Sequence, residues 1–493
     1  MDYISGKDRS QMQFLALEQV VAEDSWARII DLFVDLLPLK KLGFKHTTLQ
    51  KEGRPPYDPS ALLKLYMYGY KHSIRSSRKL EHSCKVNVEL WWLLKGLRPS
   101  FRSIAYFRKD NASAFKAAFR HFVLMLQELK LIEGETIAID SFKIRAQNSM
   151  KNNYSQKKID RHVTYIDSKI EEYEQQLESA DAAEQEELAV KITYQKGKRD
   201  NYKALEKQLN ESGESQISLT DKDSKAVLIG PLTSTIGYCI QAATDSKHKL
   251  FVHADIGGST DQKELAPVAL EVKSLLGLKR FRTLSDAGYT TGNQLTLCKA
   301  ASILTYSSPN LKGSRPGDYF PNWEFNYKKE EDCYVCPSGE KLVPYGNWKQ
   351  GPSYKTLIYA NPQACKGCSM KAKCTKSKRG REIARSEYQE VVDENNKRVL
   401  ADPDYYRKRQ QIIEHQFGTL KRQWGFTFTL MKGKINVLTE TNLLMLIYNL
   451  TRAASIMGPN ELKRKLKASL LRFLALIYSK ISLNKSAGEI VIS

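Results

Sequence analysis

Five of the eight cysteines in this sequence lie close together, between positions 333 and 374. They form two pairs with two residues between the partners, followed by a single cysteine: Cys333, Cys336, Cys365, Cys368 and Cys374. A pair with this spacing presents two thiolates to one tetrahedral zinc ion, and a second pair completes the site. The sequence therefore predicts a structural Zn²⁺ held by four of these five thiolates, with Cys374 able to replace Cys365 or Cys368.

Three acidic residues stand where apolar segments are interrupted or end. Asp140 interrupts the strand-like run TIAIDSFKIRA, Asp286 follows the apolar stretch 281–284, and Glu414 lies in the helical sequence RKRQQIIEHQFGTLKRQW. A carboxylate inside a buried strand is costly unless it is paired, and a divalent cation is an effective partner. Taken singly, each acid is more often an ordinary surface carboxylate, so no one of them defines a site.

Basic residues flank Glu414 on both sides, namely Arg407, Arg409, Lys421 and Arg422. Lys421 follows Glu414 by seven positions, which predicts that the two lie two helical turns apart on one face. An acid that binds metal, next to basic groups that bind phosphate, is what phosphodiester chemistry requires.

The charge of the whole chain favours a polyanionic partner. The 493 residues include 77 lysines and arginines against 55 acidic residues, a formal net charge of +22. Nucleic acid is the commonest partner for such an excess, although a ribosome or an anionic membrane surface also fits. The most apolar stretches, 443–450 and 470–477, are too short to span a membrane. The N-terminal sequence MDYISGKDRS lacks a signal-peptide layout, so we expect a cytoplasmic protein with reduced thiols.

Residues 1–135 are predicted to be helical. Asp58-Pro59 is a typical helix start, and Ser100 can cap a helix over 100–109 in which Arg102, Arg108 and Lys109 lie mostly off the apolar side. Short helices with a basic exposed face suit a helix-turn-helix-like DNA-binding domain. A plain helical bundle explains the same pattern, and on this evidence alone it is slightly favoured.

The rest of the chain alternates between sheet-forming and helical segments. Strand-like runs at 136–146, 226–229, 236–243, 250–256, 282–284 and 302–306 predict a mixed α/β core. A polar helical hairpin is predicted at 154–212, where it interrupts this core and acts as a solvated spacer. We therefore assign the core to 136–312 and 382–457, a Cys-rich insertion to 313–381, and a basic C-terminal tail to 458–493.

Several sequence blocks together resemble the DDE transposases of bacterial insertion sequences. They are AIDSFKIRA around Asp140, LSDAGYTTGNQL around Asp286 and IIEHQFGTLKRQWGF around Glu414, with GRPPYDPSALLKLYMYGY and PSFRSIAYFRK near the N-terminus. The similarity extends over about residues 45–455 and is strongest to the branch with an InsH-like helical N-terminal domain and a Cys-rich insertion before the glutamate. In that family Tyr, Arg, Glu and Lys recur at set spacings. Tyr406, Arg409, Glu414 and Lys421 are the nearest match, and Arg407 is the alternative to Arg409.

The cysteine spacing favours a zinc-ribbon-like insertion. The resemblance implies a ribonuclease-H-like core and two Mg²⁺ ions, with Mn²⁺ as a substitute, held by Asp140, Asp286 and Glu414. It also implies cleavage at the element's ends and strand transfer into target DNA. The expected partners are the terminal inverted repeats, target DNA and a second copy of the chain, at the nucleoid and away from any membrane. Asp255 and Asp261 are nearby acids outside the triad, and Asp261 is expected at a helix start, in a supporting role.

Two other functions fit part of the pattern. A non-catalytic, zinc-containing DNA-binding regulator would need no carboxylate triad. A host nuclease on the same core would cleave DNA without joining ends. The three acids argue against the first, and the dedicated helical N-terminal region argues weakly against the second.

Overall fold

The computed structural model describes residues 16–49, 51–53, 55–230, 233–309, 319–351 and 353–468, together with 10, 12 and 14. Of the predicted basic tail, residues 469–493 lie outside this part of the chain, as do residues 313–318 at the start of the predicted Cys-rich insertion.

Helices occupy the described N-terminal region, as the sequence predicts. They are α1 (Leu17–Val20), α2 (Trp26–Asp35), α3 (Pro59–Lys71), α4 (Ser77–Val86), α5 (Val88–Leu93), α6 (Phe101–Asp110) and α7 (Ala112–Glu128). The Asp58 carboxylate caps α3 by accepting a hydrogen bond from the Ser60 amide, and Ser100 caps α6 in the same way through Ser103.

A mixed sheet follows the N-terminal helices. In chain order, the next elements are β1 (Thr136–Arg145), β2 (Asn153–Ser155), α8 (Gln156–Leu177), α9 (Ala182–Ser212), β3 (Gln216–Ser218), β4 (Lys225–Leu228), β5 (Ser234–Asp245), β6 (Phe251–Ile256), α10 (Leu265–Leu276), β7 (Phe281–Ser285), α11 (Gly292–Ala300) and β8 (Ile303–Ser307). The sheet has the order β4-β5-β1-β7-β8, and β6 also pairs with β5. β1, β7 and β8 are parallel, while β5 is antiparallel to β1, β4 and β6.

The long helices α8 and α9 leave the sheet domain between β1 and β4. They pack on each other through a small cluster of isoleucines, Ile166, Ile170 and Ile192. The short strands β2 and β3 pair at their base. The rest of both helices is largely solvated, as expected for the predicted hairpin.

A second sheet carries the clustered cysteines. It contains β9 (Asn326–Lys328), β10 (Cys333–Val335), β11 (Lys341–Pro344), β12 (Lys349–Gln350), β13 (Lys355–Ala360) and, after the short helix α12 (Pro362–Lys366), β14 (Glu382–Ser386). The order is β12-β13-β11-β10-β9, with β14 on β13. Its own small core includes Phe325, Tyr334, Leu342, Leu357 and Tyr359.

Three helices return the chain to the first sheet: α13 (Gln389–Ala401), α14 (Pro403–Gly418) and α15 (Lys434–Met457). A π-helical turn, Thr419–Gln423, extends α14. α15 is buried along most of its length and packs on α3, α7 and β6. Among the described residues, no helix is long and apolar enough to cross a membrane.

Candidate active site

Two neighbouring parallel strands bring Asp140 and Asp286 together. Ala138 of β1 pairs with Leu284 of β7, so two residues further on Asp286 comes level with Asp140. Asp286 follows the last residue of β7, and its carboxylate accepts a hydrogen bond from the Gly288 amide at 2.8 Å. A carboxylate just past a strand end is held by a rigid element yet remains accessible.

Asp140 is largely buried and is paired with Arg409 of α14. The Arg409 Nη1 atom donates to Asp140 Oδ2 at 2.7 Å. Burial raises the pKa of Asp140 to about 6, since Arg409 offsets only part of this effect while the negative charges of Asp286 and Asp261 add to it. The two other carboxylates are therefore close enough to repel the charge on Asp140.

Asp261 is the centre of a hydrogen-bonded network beside this pair. Its carboxylate accepts from Gln241 Nε2 at 2.7 Å and from Lys143 Nζ at 3.3 Å. The Tyr289 hydroxyl in turn donates to Gln241. Burial acts to raise the pKa of Asp261, but Lys143 and these hydrogen bonds outweigh it and hold the pKa below its usual value. The sequence placed Asp261 in a supporting role, and gave no sign of Gln241 or Tyr289.

Gly288 keeps the space between Asp286 and Asp261 open. A Cβ atom added at this position would lie 3.0 Å from Asp286 Oδ1 and 3.8 Å from Asp261 Oδ2. A side chain there would press on the Asp286 carboxylate and reach van der Waals contact with Asp261, so the glycine keeps the space next to Asp286 free.

Glu414 lies on the same helix as Arg409 but on a different side. Ile412 and Ile413 pack against Ala138 and the neighbouring strand, whereas Glu414 is exposed and forms no hydrogen bond or ion pair with a described residue. Glu414 follows Arg409 by five positions, and at about 3.6 residues per turn this rotates Glu414 away from the sheet. The structure therefore brings Asp140 and Asp286 together and places Glu414 on the outer side of α14.

The π-helical turn after α14 changes the direction of Lys421. A π-turn holds one residue more than an α-turn, so it rotates everything after it relative to the helix before it. Lys421 is half-buried, and its ammonium lies 5.6 Å from the centre of the Phe142 ring. Burial and the nearby positive charge of Lys143 lower the pKa of Lys421, and the charge of Asp140 opposes this. The predicted shared face of Glu414 and Lys421 is wrong, because the prediction assumed an unbroken α-helix.

Two family models match this chain. One, described as "Transposase DDE domain", matches residues 335–454, and the other, "Transposase domain (DUF772)", matches residues 15–110. The chain is a DDE transposase of the insertion-sequence type. No curated protein matches it in sequence. One solved structure, described as "Cryo-EM structure of piggyBac transposase synaptic complex with hairpin DNA (SNHP)", shows 10% identity over 90% of this chain and 79% of that chain, with a TM-score of 0.29.

DDE transposases use divalent metal ions, generally Mg²⁺. Within the described residues, no group of three or more His, Cys, Asp or Glu side chains is arranged to hold a metal ion. The carboxylates of Asp140 and Asp286 nevertheless suit such an ion chemically, because each adds negative charge beside the other that a divalent cation would relieve.

Four of the five clustered cysteines in the transposase share one cavity. Cys336, Cys365, Cys368 and Cys374 line it together with Phe320 and Phe325. Burial raises the pKa of the Cys374 thiol, with Arg381 opposing this and the other three cysteines adding to it. Cys333 lies apart on β10, where its Sγ atom is near Glu331. The structure thus separates Cys333 from the other four, a distinction that spacing alone could not make.

The predicted DNA contacts of the transposase fall into exposed and buried groups. Arg102, Lys109, Arg407 and Arg422 are exposed, while Tyr406 is half-buried beside Arg409. Arg108 is only 6% exposed and donates to the Tyr70 hydroxyl at 2.9 Å. The expectation that Arg108 lies on an exposed basic face is wrong. Arg108 lies on the inner side of α6, where its guanidinium donates hydrogen bonds to buried oxygens.

Proposed function

We propose that this transposase cleaves the ends of its insertion element and joins them to target DNA, with Asp140, Asp286 and Glu414 as its catalytic carboxylates. The observation that carries the proposal is the placement of Asp140 and Asp286 on adjacent strands, where their charges interact. Two bound Mg²⁺ ions, or Mn²⁺ in their place, would activate the attacking water or 3′-hydroxyl and stabilise the leaving oxygen.

The strand arrangement supports a ribonuclease-H-like core for this site. Three antiparallel strands, β1, β5 and β6, are followed by β7 and β8, which lie parallel to β1 on its other side. The first acid lies on the central strand, the second follows its parallel neighbour, and the third lies on a helix that packs across both.

Basic residues of α14 and the π-turn are proposed to hold the DNA backbone. Lys421 is half-buried next to Asp140 and so can fix a phosphate at the carboxylates. Arg409 neutralises Asp140 in the described state, and Tyr406 supports the guanidinium. Arg407 and Arg422 are exposed and suit contacts further along the duplex.

The N-terminal helices are proposed to recognise the terminal inverted repeats, with Arg102 and Lys109 at the exposed side of α6 as phosphate contacts. Capture of two element ends calls for two copies of the chain, so we propose a homodimer on DNA, acting in the cytoplasm at the nucleoid. The DDE-domain match disfavours a non-catalytic regulator.

The shared cavity of Cys336, Cys365, Cys368 and Cys374 is proposed to be a structural zinc site in a zinc-ribbon-like module. Four thiolates around one cavity are the donor set that a closed tetrahedral site would use once zinc draws them together. Bound Zn²⁺ would tie α12 and the chain after it to the end of β10.

The triad is tested by replacing each acid with its amide in the full-length protein. Asp140→Asn, Asp286→Asn and Glu414→Gln keep side-chain shape but each removes one negative charge. Asp140 and Asp286 lie at the proposed metal site, whereas Glu414 would join it only if α14 turned its outer side towards the sheet. We expect cleavage and strand transfer with the element's own ends in Mg²⁺ to fall at least a hundredfold, while binding to the ends is retained. Strand transfer also distinguishes a transposase from a nuclease that only cleaves.

Asp261→Asn is the matched control for these variants. Its carboxylate is already committed to Lys143 and Gln241, so we expect a smaller loss of activity, within about tenfold. A Glu414→Gln protein with wild-type rates would overturn the triad. Combined with an inactive Asp261→Asn, that result would make Asp261 the third carboxylate.

A further inference from the structure

The outermost hairpin of the Cys-rich module exposes three large aromatic side chains. Tyr345 is 57% exposed, and Trp348 and Tyr354 are each 47% exposed. We call these three residues the aromatic tip. Leu342 of β11 and Leu357 of β13 are buried, so other apolar side chains form the core of the module.

Strand pairing places the aromatic tip along one short stretch of hairpin. Lys349 of β12 pairs with Thr356 of β13, and the Gly351 amide donates to the Tyr354 carbonyl at 3.0 Å. Tyr354 and Trp348 therefore each lie next to one strand of the β12–β13 ladder. The Tyr345 amide donates to the Ile358 carbonyl at 2.7 Å, which ties it to the same strand. At about 3.3 Å per residue, the three rings are spread over roughly 15 Å.

The charge around the aromatic tip is mainly positive, although the Glu387 carboxylate of the neighbouring segment accepts a hydrogen bond from the Lys355 amide at 2.9 Å. The stretch from 341 to 381 contains ten lysines and arginines and no aspartate or glutamate. Two of these residues, Lys349 and Lys355, lie on the hairpin itself, are exposed, and form no ion pair with a described residue. An excess of positive charge of this density is complementary to a polyanion.

We propose that the aromatic tip, with Lys349 and Lys355, binds single-stranded DNA. Exposed aromatic rings stack on unpaired bases, and adjacent lysines contact the phosphates between them, which together give binding with little sequence preference. In an intact duplex the faces of the bases are covered by their neighbours, so the rings select DNA whose bases are accessible. This binding site is separate from the carboxylates and from the N-terminal helices.

The test compares full-length variants for binding to a labelled twenty-nucleotide oligothymidine and to a duplex of equal length, by fluorescence anisotropy without added Mg²⁺. We expect Tyr345→Ala combined with Trp348→Ala to weaken binding to the single strand at least tenfold and binding to the duplex less than twofold. Trp348→Phe retains a ring and should stay within threefold of wild type. Lys349→Gln with Lys355→Gln should lower the salt dependence of single-strand binding.

Trp323→Ala is the matched control, because Trp323 belongs to the same module, is 58% exposed, and lies outside the hairpin. It should change neither affinity by more than twofold. Equal loss of single-strand and duplex binding in the double variant would overturn the proposal. So would unchanged DNA binding together with a loss of self-association in sedimentation, which would assign the aromatic tip to contact between copies of the chain.

Discussion

The ion pair of Arg409 with Asp140 depends on which side of α14 faces the sheet. Ile412 and Ile413 are buried against β1 and β7, and they follow Arg409 by three and four positions, which puts all three on one side of the helix. Arg407 is two residues earlier, is exposed, and pairs with Asp404 at 2.8 Å. The two isoleucines were visible in the sequence, so the choice between the arginines could have been made from their spacing.

Arg409→Ala is therefore expected to impair the transposase more than Arg407→Ala. The first change removes the buried positive charge next to Asp140, and the second removes one partner of an exposed pair, which is worth little. We expect strand transfer to fall at least tenfold for Arg409→Ala and less than threefold for Arg407→Ala. Rates measured with the same element ends in Mg²⁺ check this, and the reverse order would contradict the assignment of Arg409.

The contacts of Asp261, in contrast, could not be predicted from spacing in the sequence. Its partners Lys143 and Gln241 lie 118 and 20 residues away along the chain, on two strands whose register sets the distances. Sequence spacing within one helix can place side chains on a face, but it carries no information on how β1 and β5 align. The hydrogen-bonded network around Asp261 could therefore be identified only in the structure.

At the scale of elements, the sequence predicted those with a strong apolar pattern. The strands β4 to β8 lie close to the predicted segments, because short apolar or alternating runs mark each of them. The short strands of the Cys-rich module were not predicted individually, since segments such as Lys349–Gln350 are too short to show a period. The π-turn was also missed, because it leaves no signature in residue types.

The zinc site gives a prediction that separates Cys336 from Cys333. Cys336→Ser removes one of the four thiolates that share the cavity, whereas Cys333→Ser changes a cysteine that lies outside it. We expect the first variant to lose nearly all its zinc and the second to keep about one ion per chain, by mass-spectrometric metal analysis. Loss of zinc in Cys333→Ser, or a fully folded wild-type protein without zinc, would refute the four-cysteine site.

In the whole molecule, one hydrophobic core extends from the N-terminal helices into the sheet region. It includes Val21 near the start of the described chain and Leu466 near its end. A buried ion pair adds to this connection: Arg75, just after α3, donates to Glu440 of α15 at 3.0 Å and to the carbonyls of Phe428 and Gly425. The N-terminal region and the α15 segment thus share both apolar and polar contacts.

Removing the charge of Glu440 should destabilise the whole protein. The side chain is fully buried, so Glu440→Gln leaves the Arg75 guanidinium without its counter-charge in a dry environment. We expect a loss of about 3 kcal/mol in the free energy of unfolding. Glu461→Gln, which alters an exposed pair with Arg464, is the control and should change it by less than about 0.5 kcal/mol. Equal stabilities in chemical denaturation would show that the pair is not structurally important.

Recognition of the element's ends is predicted to depend on α6. Arg102→Ala with Lys109→Ala removes two exposed charges, so the slope of log affinity against log salt should fall by about 2 for a duplex carrying the element end. Lys191→Ala with Lys207→Ala, on the exposed side of α9, is the control for lost charge elsewhere. If both double variants bind alike, end recognition lies outside α6.

The burial of α15 has a consequence for synthesis of the chain. α3 and α7 are complete once residue 128 has been made, but the helix they pack on ends at Met457. At 5–20 residues per second, a ribosome needs roughly 20–60 s to cover that interval. During this time the nascent N-terminal helices expose the apolar surface that α15 later covers. A chain terminated early, before α15, would therefore depend on chaperones and be prone to degradation, and it would not persist as an independent DNA-binding fragment.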